Sequence, residues 1–500
     1  MILGGLMTGM ALAGLDNTIV SPSLLTIVSD LGAVSGLAWP VTAYLLMETV
    51  TTPLYGKLSD IFGRPALFRF AILVFVGGSM LCGVAQNLPM LVAFRAVQGI
   101  GSGGLVSMTF AILGDVIPPR ERGRYSGYLS SVFAVTSVIG PLVGGTITDH
   151  LSWRWIFYVN VPVGIASLVV TSKALGRIPK PQRNAGARID VVGALLLVLG
   201  VGAGIVALEW GGNEYPWGSA VIVGLIVTSV AVLAGFLAWE RRAPDPIISL
   251  QLYRIPTVRV AGIMSFLLGA TMYVGSIYLP LFLQVVKKVS ISTSGLLVTP
   301  MMVGLLLAAI PAGRAITRTG RYKWTGYVGF GLLIVAAVLL TTASASTPLV
   351  VVFAFMVIFG SGMGMVSPPL TVAVQNAVER AQMGVATAGN MFLRNLGGSI
   401  GLAVYASVFA SRIGPAILAR LPEGAGSQLG GDPTQLLRDP AAIAALPDPI
   451  EEAVRSATAA SIHVVFFVTV GAAVLGLVAA LRQVELPLRT GQSEPEPVHA

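Results

Sequence analysis

Charged residues are scarce in this chain. Only 11% of its 500 residues carry a charge, while 55% are hydrophobic, and an ordinary soluble domain has about 25% charged residues. With so few charges, a folded chain of this size has little surface that water solvates well. The composition therefore excludes a water-soluble globular protein and indicates that most of the chain faces lipid.

Cysteine, histidine and nucleotide-binding motifs are also scarce or missing. Cys82 is the single cysteine, so an internal disulfide is excluded. His150, His463 and His499 lie far apart without metal-ligand spacing, which argues against a membrane-embedded enzyme, the alternative from a different class. No Gly-x-x-x-x-Gly-Lys-Ser/Thr loop occurs, which excludes an ATP-driven pump. We expect the chain to be no enzyme and to bind neither a cofactor nor a metal.

Apolar runs of membrane-spanning length recur along the whole chain. A helix needs about 20 mostly apolar residues to cross a bilayer, and the mean hydropathy of the chain is +0.83. The runs predict an all-α polytopic membrane protein with 14 transmembrane helices. The predicted spans are 2–29, 36–56, 66–86, 89–113, 124–148, 154–174, 189–209, 217–239, 258–286, 293–313, 323–343, 348–374, 384–411 and 457–481.

The basic residues are placed on one side of these predicted spans. If the N-terminus is cytoplasmic, 22 of the 31 lysines and arginines fall in cytoplasmic connections, as the positive-inside rule requires. The net charge of +9 therefore reflects membrane orientation, and we expect a lipid bilayer and no nucleic acid as its partner. The pattern predicts a multi-pass protein of the cell membrane with both termini in the cytoplasm.

One outer loop, 412–456, is long enough to be a sizeable water-facing segment. It ends on Asp448, Pro449 and Glu451, a helix-start pattern that predicts a last helix beginning outside the membrane. The tail at 482–500 is polar and rich in proline and glutamate near its end, which predicts disorder.

This sidedness can be tested by thiol labelling in a Cys82→Ser background. A cysteine introduced at Gly430 should react with an impermeant thiol reagent on intact cells, because the long loop is predicted to lie outside. A cysteine at Gly186 should not react. The opposite labelling pattern would contradict the fourteen-span topology.

Two short patterns occur twice in the chain. Residues 56–64 (GKLSDIFGR) and 313–321 (GRAITRTGR) share two glycines at the same step followed by arginine, and glycine triplets occur at 99–103 and 360–364. Both repeats are offset by about 260 residues, which indicates two related halves. Such parallel repeats place a substrate site where the halves meet. The predicted domains are an N-terminal six-helix bundle (1–175), linkers with an inserted helix pair (176–257), a C-terminal six-helix bundle (258–481) and the tail (482–500).

Six short segments carry a resemblance to a known superfamily. Residues 56–64 resemble the loop signature of the major facilitator superfamily, and 95–101 (RAVQGIG) resemble its span 4 signature. Residues 140–145 (GPLVGG) are similar to the motif shared by its antiporters. Residues 15–20 (LDNTIV) resemble the mark of its fourteen-span drug:proton antiporter family, which includes quaternary-ammonium exporters. The segments 278–284 (YLPLFLQ) and 394–398 (RNLGG) are also similar to that branch.

The resemblance implies a major facilitator fold, with two six-helix bundles and a central inserted helix pair. It further implies multidrug efflux: proton-driven export of small lipophilic, often cationic compounds, with the proton gradient as energy source. We expect a small-molecule substrate, protons and a monomer. An exporter of lipids or another native amphiphile with the same fold is the alternative. The chain departs from the family pattern at Glu48, where a small polar residue is typical.

Four ionisable residues are expected well inside the predicted spans. These are Asp16, Glu48, Arg95 and Arg394. A charge at the bilayer centre costs about 2.5–3.5 kcal/mol even on the mildest scale, so such residues need partners or a water-filled cavity. Asp16 is expected near mid-span as a lone carboxylate where a proton and a cationic substrate exclude one another, with Glu48 as helper. Arg95 is expected to pair with either carboxylate.

Further candidates come from the resembling segments and from the aromatic residues. The predicted substrate and proton-coupling residues also include Asn17, Thr18, Tyr44, Tyr278, Phe282 and Gln284. The aromatic rings could line a lipophilic pocket or anchor the helices at the membrane interface.

Two glycine-containing segments are expected to control movement. In the loop with Gly56, Asp60, Gly63 and Arg64, the glycines allow close backbone approach and Asp60 can meet a helix N-terminus. The resemblance assigns this loop to a latch that holds the outward-open state. In the antiporter helix motif, proline bends the helix while small residues allow it to lie against a neighbour. That motif comprises Gly140, Pro141, Gly144 and Gly145.

Overall fold

The fold is a bundle of long helices, seen in a computed structural model of the chain. The structure describes residues 2–20, 23–31, 39–175, 190–212, 214–289, 297–379, 382–421 and 446–488. Gly186 and Gly430, the two labelling positions, lie outside these described residues, as does most of the predicted tail.

The first half contributes eight helical segments. They are α1 (Ile2–Ile19), α2 (Leu24–Asp30), α3 (Trp39–Phe62), α4 (Arg64–Gly83), α5 (Leu88–Val116), α6 (Pro119–His150), α7 (Trp155–Tyr158) and α8 (Asn160–Leu175). Two further helices follow as an antiparallel pair, α9 (Val191–Trp210) and α10 (Ala220–Glu240).

The second half begins with a short 3-10 turn, Leu250–Arg254, and α11 (Pro256–Tyr273). The helix continues through a π-helical turn (Val274–Tyr278), α12 (Leu279–Leu281) and a second π-helical turn (Phe282–Val286). The remaining helices are α13 (Thr299–Thr319), α14 (Lys323–Thr341), α15 (Leu349–Ala377), α16 (Met383–Leu418) and α17 (Asp448–Arg482).

Thirteen helices among the described residues are long and apolar enough to cross a membrane. The prediction of an all-α polytopic membrane protein is therefore confirmed, whereas the count of fourteen spans stays a prediction. It depends on α3, a 24-residue helix that is not among the thirteen. Glu48, Lys57, Asp60 and several threonines make this helix more polar than the others.

Some helix boundaries differ from the predicted spans. The predicted first span ended at residue 29, but α1 ends at Ile19, and Asp16 therefore lies in its last turn and not at its middle. The chain then forms the separate helix α2. At the other end, α17 begins at Asp448, with Pro449 in its first turn, as the helix-start pattern predicted.

The buried side chains form separate cores in the two halves. One core joins α1, α4 and α5, with Phe68 and Phe75 among its fully buried residues. A larger core joins α11, α13, α14, α15 and α17 and includes Phe330 and Phe359. The inserted pair α9 and α10 packs against α3 and α16 through a third apolar cluster. Lys57 of α3 also forms a salt bridge of 3.3 Å with Asp245, in the segment after α10.

Small residues bring the two halves into backbone contact. A Cβ atom added at Gly127 of α6 would lie 2.9 Å from the Ala309 carbonyl oxygen of α13. A Cβ atom at Gly123 would lie 3.2 Å from the carbonyl oxygen of Gly313, a glycine of the repeated loop pattern. Since lipid tails give helices little hydrophobic reason to associate, such close packing contributes much of the attraction between the halves.

Candidate functional site

A cavity of about 150 Å³ lies between the two halves. Helices α1, α3, α5 and α6 contribute one wall, and helices α11, α13, α15 and α16 contribute the opposite wall. Four methionines line it, and their flexible thioethers adapt to ligands of different shape. The methionines are Met10, Met272, Met302 and Met363.

Glu48 and Arg394 bring opposite charges into this cavity from opposite halves. Glu48 lies on α3 and Arg394 on α16, and both line the cavity together with Tyr273 of α11. The Oε2 atom of Glu48 is buried and has no hydrogen-bond partner among the described residues. Arg394 donates from Nη1 to the Ser367 hydroxyl at 3.5 Å, a long contact. The cavity therefore holds a carboxylate with unused hydrogen-bonding capacity facing a weakly held guanidinium.

Asp16 has a different environment, because three side chains donate hydrogen bonds to its carboxylate. Arg95 Nη1 donates to Oδ2 at 2.6 Å, and Gln98 Nε2 and Asn160 Nδ2 donate to Oδ1 at 2.7 and 2.8 Å. The Asp16 side chain has no exposed surface. The expectation of a lone, unpaired carboxylate at Asp16 is therefore wrong: it pairs with Arg95, one of the two partners predicted for that arginine.

The Arg95 guanidinium is enclosed on its remaining sides. Its Nε donates to the Pro40 carbonyl oxygen at 3.2 Å, and its Cζ lies 4.1 Å from the centre of the Tyr44 ring. Tyr44 in turn donates its hydroxyl hydrogen to Ser102 at 2.8 Å, and Ser102 lines the cavity. A chain of contacts thus leads from the buried Asp16–Arg95 pair to the cavity wall.

The other residues predicted for the first-half site separate into two groups. Asn17 lines the cavity as expected. Thr18 does not, because its hydroxyl donates to the Thr136 carbonyl oxygen of α6 at 3.0 Å. Tyr44 is fully buried with its ring on Arg95 and does not line the cavity, and its role in proton coupling or substrate binding stays a prediction.

Tyr278, Phe282 and Gln284 do not line the cavity either. Tyr278 and Phe282 are buried in the core of the second half, where Tyr278 contacts the rings of Tyr405 and Phe409. All three residues lie in the π-helical turns after α11, where the wider helix changes the direction of the side chains. They are therefore not part of this cavity, and their role in substrate binding stays a prediction.

The predicted latch loop contacts the start of α16 in the other half. A Cβ atom at Gly56 would lie 2.6 Å from the Ala388 Cβ, so glycine is needed for this approach. The Asp60 carboxylate lies against Gly384, in the first turn of α16, where a Cβ atom would be 2.5 Å from Oδ1. A carboxylate at this position is favoured by the free N–H groups of a helix N-terminus.

Arg64 anchors the latch loop within the first half. It forms salt bridges with Asp115 at 2.9 Å and with Asp60 at 3.4 Å, and it donates a hydrogen bond to the Ala111 carbonyl oxygen. Gly63 precedes it with φ of 89°, a conformation that favours glycine. Asp60 is therefore positioned between an arginine of its own half and a helix N-terminus of the other half.

The antiporter helix motif packs against the end of α1. A Cβ atom at Gly140 would lie 3.2 Å from the Ile19 nitrogen, and one at Gly144 would lie 3.1 Å from the Ile19 carbonyl carbon. Pro141 lies inside α6, whereas nothing approaches Gly145 within 4 Å. Gly140 and Gly144 therefore hold α6 on the helix that carries Asp16.

Three important polar residues were missed from the sequence. Gln98 lies three residues after Arg95, a spacing that places both on one helix face and could have indicated a shared partner. Asn160 had no recognisable signal, because its contact with Asp16 joins segments that are distant in sequence. Tyr273 was not among the predicted residues, and it lines the cavity beside Arg394.

Comparison with known proteins identifies the family. The sequence profile of the Major Facilitator Superfamily matches residues 6–402. An uncharacterized MFS-type transporter of Mycobacterium tuberculosis is 38% identical over 488 residues, covering 97% of this chain and 70% of that protein. Multidrug resistance protein 3 of Bacillus subtilis is 34% identical over 484 residues, covering 95% of this chain and 93% of that protein.

A solved structure shows the same fold at low sequence identity. The human organic anion transporter MFSD10 superposes with a TM-score of 0.60 and 14% identity, covering 94% of this chain and 98% of that one. The chain belongs to the Major Facilitator Superfamily: it is a multi-pass membrane transporter and not an enzyme.

The Asp16–Arg95 pair generates a prediction for stability. Asp16→Leu and Arg95→Met should each lower the free energy of unfolding by about 3–5 kcal/mol, because each leaves an unpaired buried charge. The double variant should lose much less than the sum of the two, since no charge then remains. Unfolding of the purified variants in detergent measures this. Additive losses would show that the pair is not coupled.

The latch contact generates a second prediction. Asp60→Asn should slow transport several-fold while leaving the equilibrium dissociation constant for substrate within a few-fold of wild type, because Asp60 does not line the cavity. Transport into vesicles and binding to the purified protein measure the two quantities. Loss of binding as complete as in a cavity variant would contradict a latch role.

Proposed function

We propose that the chain is a proton-coupled exporter of small lipophilic, often cationic compounds, working by alternating access. The observation that carries this proposal is a buried Glu48 carboxylate whose Oε2 atom has no hydrogen-bond partner among the described residues, in a methionine-lined cavity between the two halves. The printed names of two Bacillus subtilis relatives, Multidrug transporter protein MdtP and Multidrug resistance protein 3, support a multidrug function. The quaternary-ammonium type of substrate is part of the proposal.

Glu48 is the proposed site of exchange between proton and substrate. An ionised carboxylate with one oxygen left without a donor is unfavourable in a low-dielectric cavity, and either a proton or a lipophilic cation relieves that cost. The two cannot neutralise the same charge together, so binding of one favours release of the other. Arg394 faces Glu48 across the cavity and keeps a positive charge there when no substrate cation is bound.

Asp16 is proposed to act mainly by holding its helices together. Its carboxylate already has three donors and a permanent cation, so a substrate cation would gain little there. The pair joins α1 to α5, and Asn160 extends the contact to α8. Proton coupling at Asp16, as the sequence predicts, is the competing hypothesis within this proposal.

The orientation of the chain is part of the proposal. The positive-inside count supports a cytoplasmic location for the latch loop and for both termini. Contacts between the halves at Gly56, Asp60 and Gly123 would then close the cytoplasmic side. We propose that the chain acts as a monomer, because a single chain supplies both walls of the cavity.

An exporter of lipids or another native amphiphile is the second candidate. It is favoured by α17, which begins at Asp448, nine residues before the predicted membrane span, and so extends beyond it. A helix that projects from the outer surface could receive an amphiphile as it leaves the cavity.

Transport in everted vesicles, with and without an imposed pH gradient, tests the coupling role. Glu48→Gln should abolish gradient-driven accumulation of a cationic dye while retaining downhill movement, because the amide cannot release a proton. Glu452→Gln is the matched control, since Glu452 is 63% exposed and does not line the cavity. Cationic dyes, neutral dyes and a fluorescent lipid should be compared as substrates.

The variants also separate the competing assignments. Near wild-type gradient-driven export by Glu48→Gln, together with its loss in a correctly folded Asp16→Asn, would return the coupling role to Asp16. Export of the fluorescent lipid alone would favour the amphiphile exporter. Absence of any response to the pH gradient in the wild type would contradict proton coupling.

A further inference from the structure

A second and much larger cavity lies outside the transport pathway. Its volume is about 920 Å³, near the upper limit of small-molecule sites. It is a groove between the inserted pair, α9 and α10, and helices α11, α16 and α17 of the second half. No residue lines both this groove and the central cavity.

The walls of the groove are almost entirely apolar. Leu237, Ile263 and Leu475 line it and remain 44%, 49% and 60% exposed, so the groove opens to the surroundings of the bundle. In a membrane-spanning protein these surroundings are acyl chains. Such walls suit a hydrocarbon tail and offer nothing to a hydrated ligand.

Two arginines lie at one end of the groove. Arg259 is in the first turn of α11 and Arg482 is the last residue of α17. The Thr257 hydroxyl donates to the Val484 carbonyl oxygen at 3.4 Å, so these two helix ends lie side by side. The two guanidinium groups therefore belong to the same mouth of the groove.

Neither arginine has a protein partner within the described part of the chain. The acidic residue nearest in sequence, Glu485, already accepts hydrogen bonds from the backbone nitrogens of Tyr322 and Lys323 at 2.7 and 3.0 Å. Two unpaired cations at the end of an apolar groove match an amphiphile with a negative headgroup.

The depth of the groove fits a tail that enters from that mouth. From the two arginines its lining extends to Leu267 along α11 and to Leu475 along α17. At ~1.5 Å per residue these stretches are on the order of 10–12 Å long, about a third of the hydrocarbon core of a bilayer.

We infer that this groove binds an anionic glycerophospholipid, with its phosphate between Arg259 and Arg482 and an acyl chain along α10, α11 and α17. The bound lipid fills the space between the inserted pair and the second half. The site is separate from the proposed transport function, since its residues do not reach the central cavity.

Native mass spectrometry of the purified full-length chain tests this proposal. The probes are phosphatidylglycerol and phosphatidylcholine with identical acyl chains, added to the detergent-solubilised protein. The wild type should retain phosphatidylglycerol preferentially. Each arginine-to-glutamine change should weaken that retention by about fivefold, so that Arg259→Gln/Arg482→Gln loses the preference, while phosphatidylcholine retention stays the same.

Three further variants distinguish the headgroup site from other causes. Arg259→Lys/Arg482→Lys keeps both charges and should keep the preference, which also covers the case of a glutamine variant that fails to fold. Ile263→Trp fills the groove and should reduce retention of both lipids. Arg69→Gln removes an exposed arginine that does not line the groove and should change nothing.

Several outcomes would overturn the inference. One is equal retention of phosphatidylglycerol by the wild type and the double glutamine variant. Another is equal retention of the two lipids by the wild type. A third is a dimer that forms without phosphatidylglycerol and is lost in Ile263→Trp, because the groove would then be occupied by a second copy of the chain.

Discussion

The cost of an uncompensated charge inside the bilayer is the constraint on which this bundle depends. The chain meets it in three different ways. Asp16 and Arg95 form a closed pair without exposed surface on the carboxylate. Glu48 and Arg394 face one another across a cavity, and neither is fully satisfied by the protein. Asp60 lies at the edge of the bundle, between Arg64 and the start of α16.

Close packing of small residues allows the two halves to move relative to one another. Gly56, Gly123 and Gly127 bring helices of one half against the backbone of the other. These contacts consist of van der Waals attraction and a few polar groups, and no salt bridge joins the two halves at these glycines within the described ranges. They can therefore separate and re-form at modest cost, whereas the Asp16–Arg95 pair lies within one half and need not break when the halves move.

The sequence was sufficient for the fold class, since apolar runs and sparse charge depend only on composition along the chain. The ends of the helices were harder to predict from the sequence. For example, α1 ends at Ile19, although the apolar run continues to residue 29. The direction in which each side chain points was the hardest feature to predict from the sequence. The π-helical turns move Tyr278 and Phe282 into the core of the second half, and neither turn has a recognisable sequence signal.

The charged residues illustrate why the site could be predicted only in part. Depth in a span indicates that a carboxylate needs compensation, but it does not say which neighbour provides it. For Asp16 the three donors come from α5 and α8, more than 75 residues away in sequence.

The hydrogen bonds of Asp16 and Glu48, and not their depth in the membrane, distinguish the roles proposed for the two carboxylates. A carboxylate that already has three fixed donors offers little to an arriving cation, so it suits a structural element. A carboxylate with an unused oxygen in a cavity gains from any proton or cation that arrives, and this is the property that exchange requires.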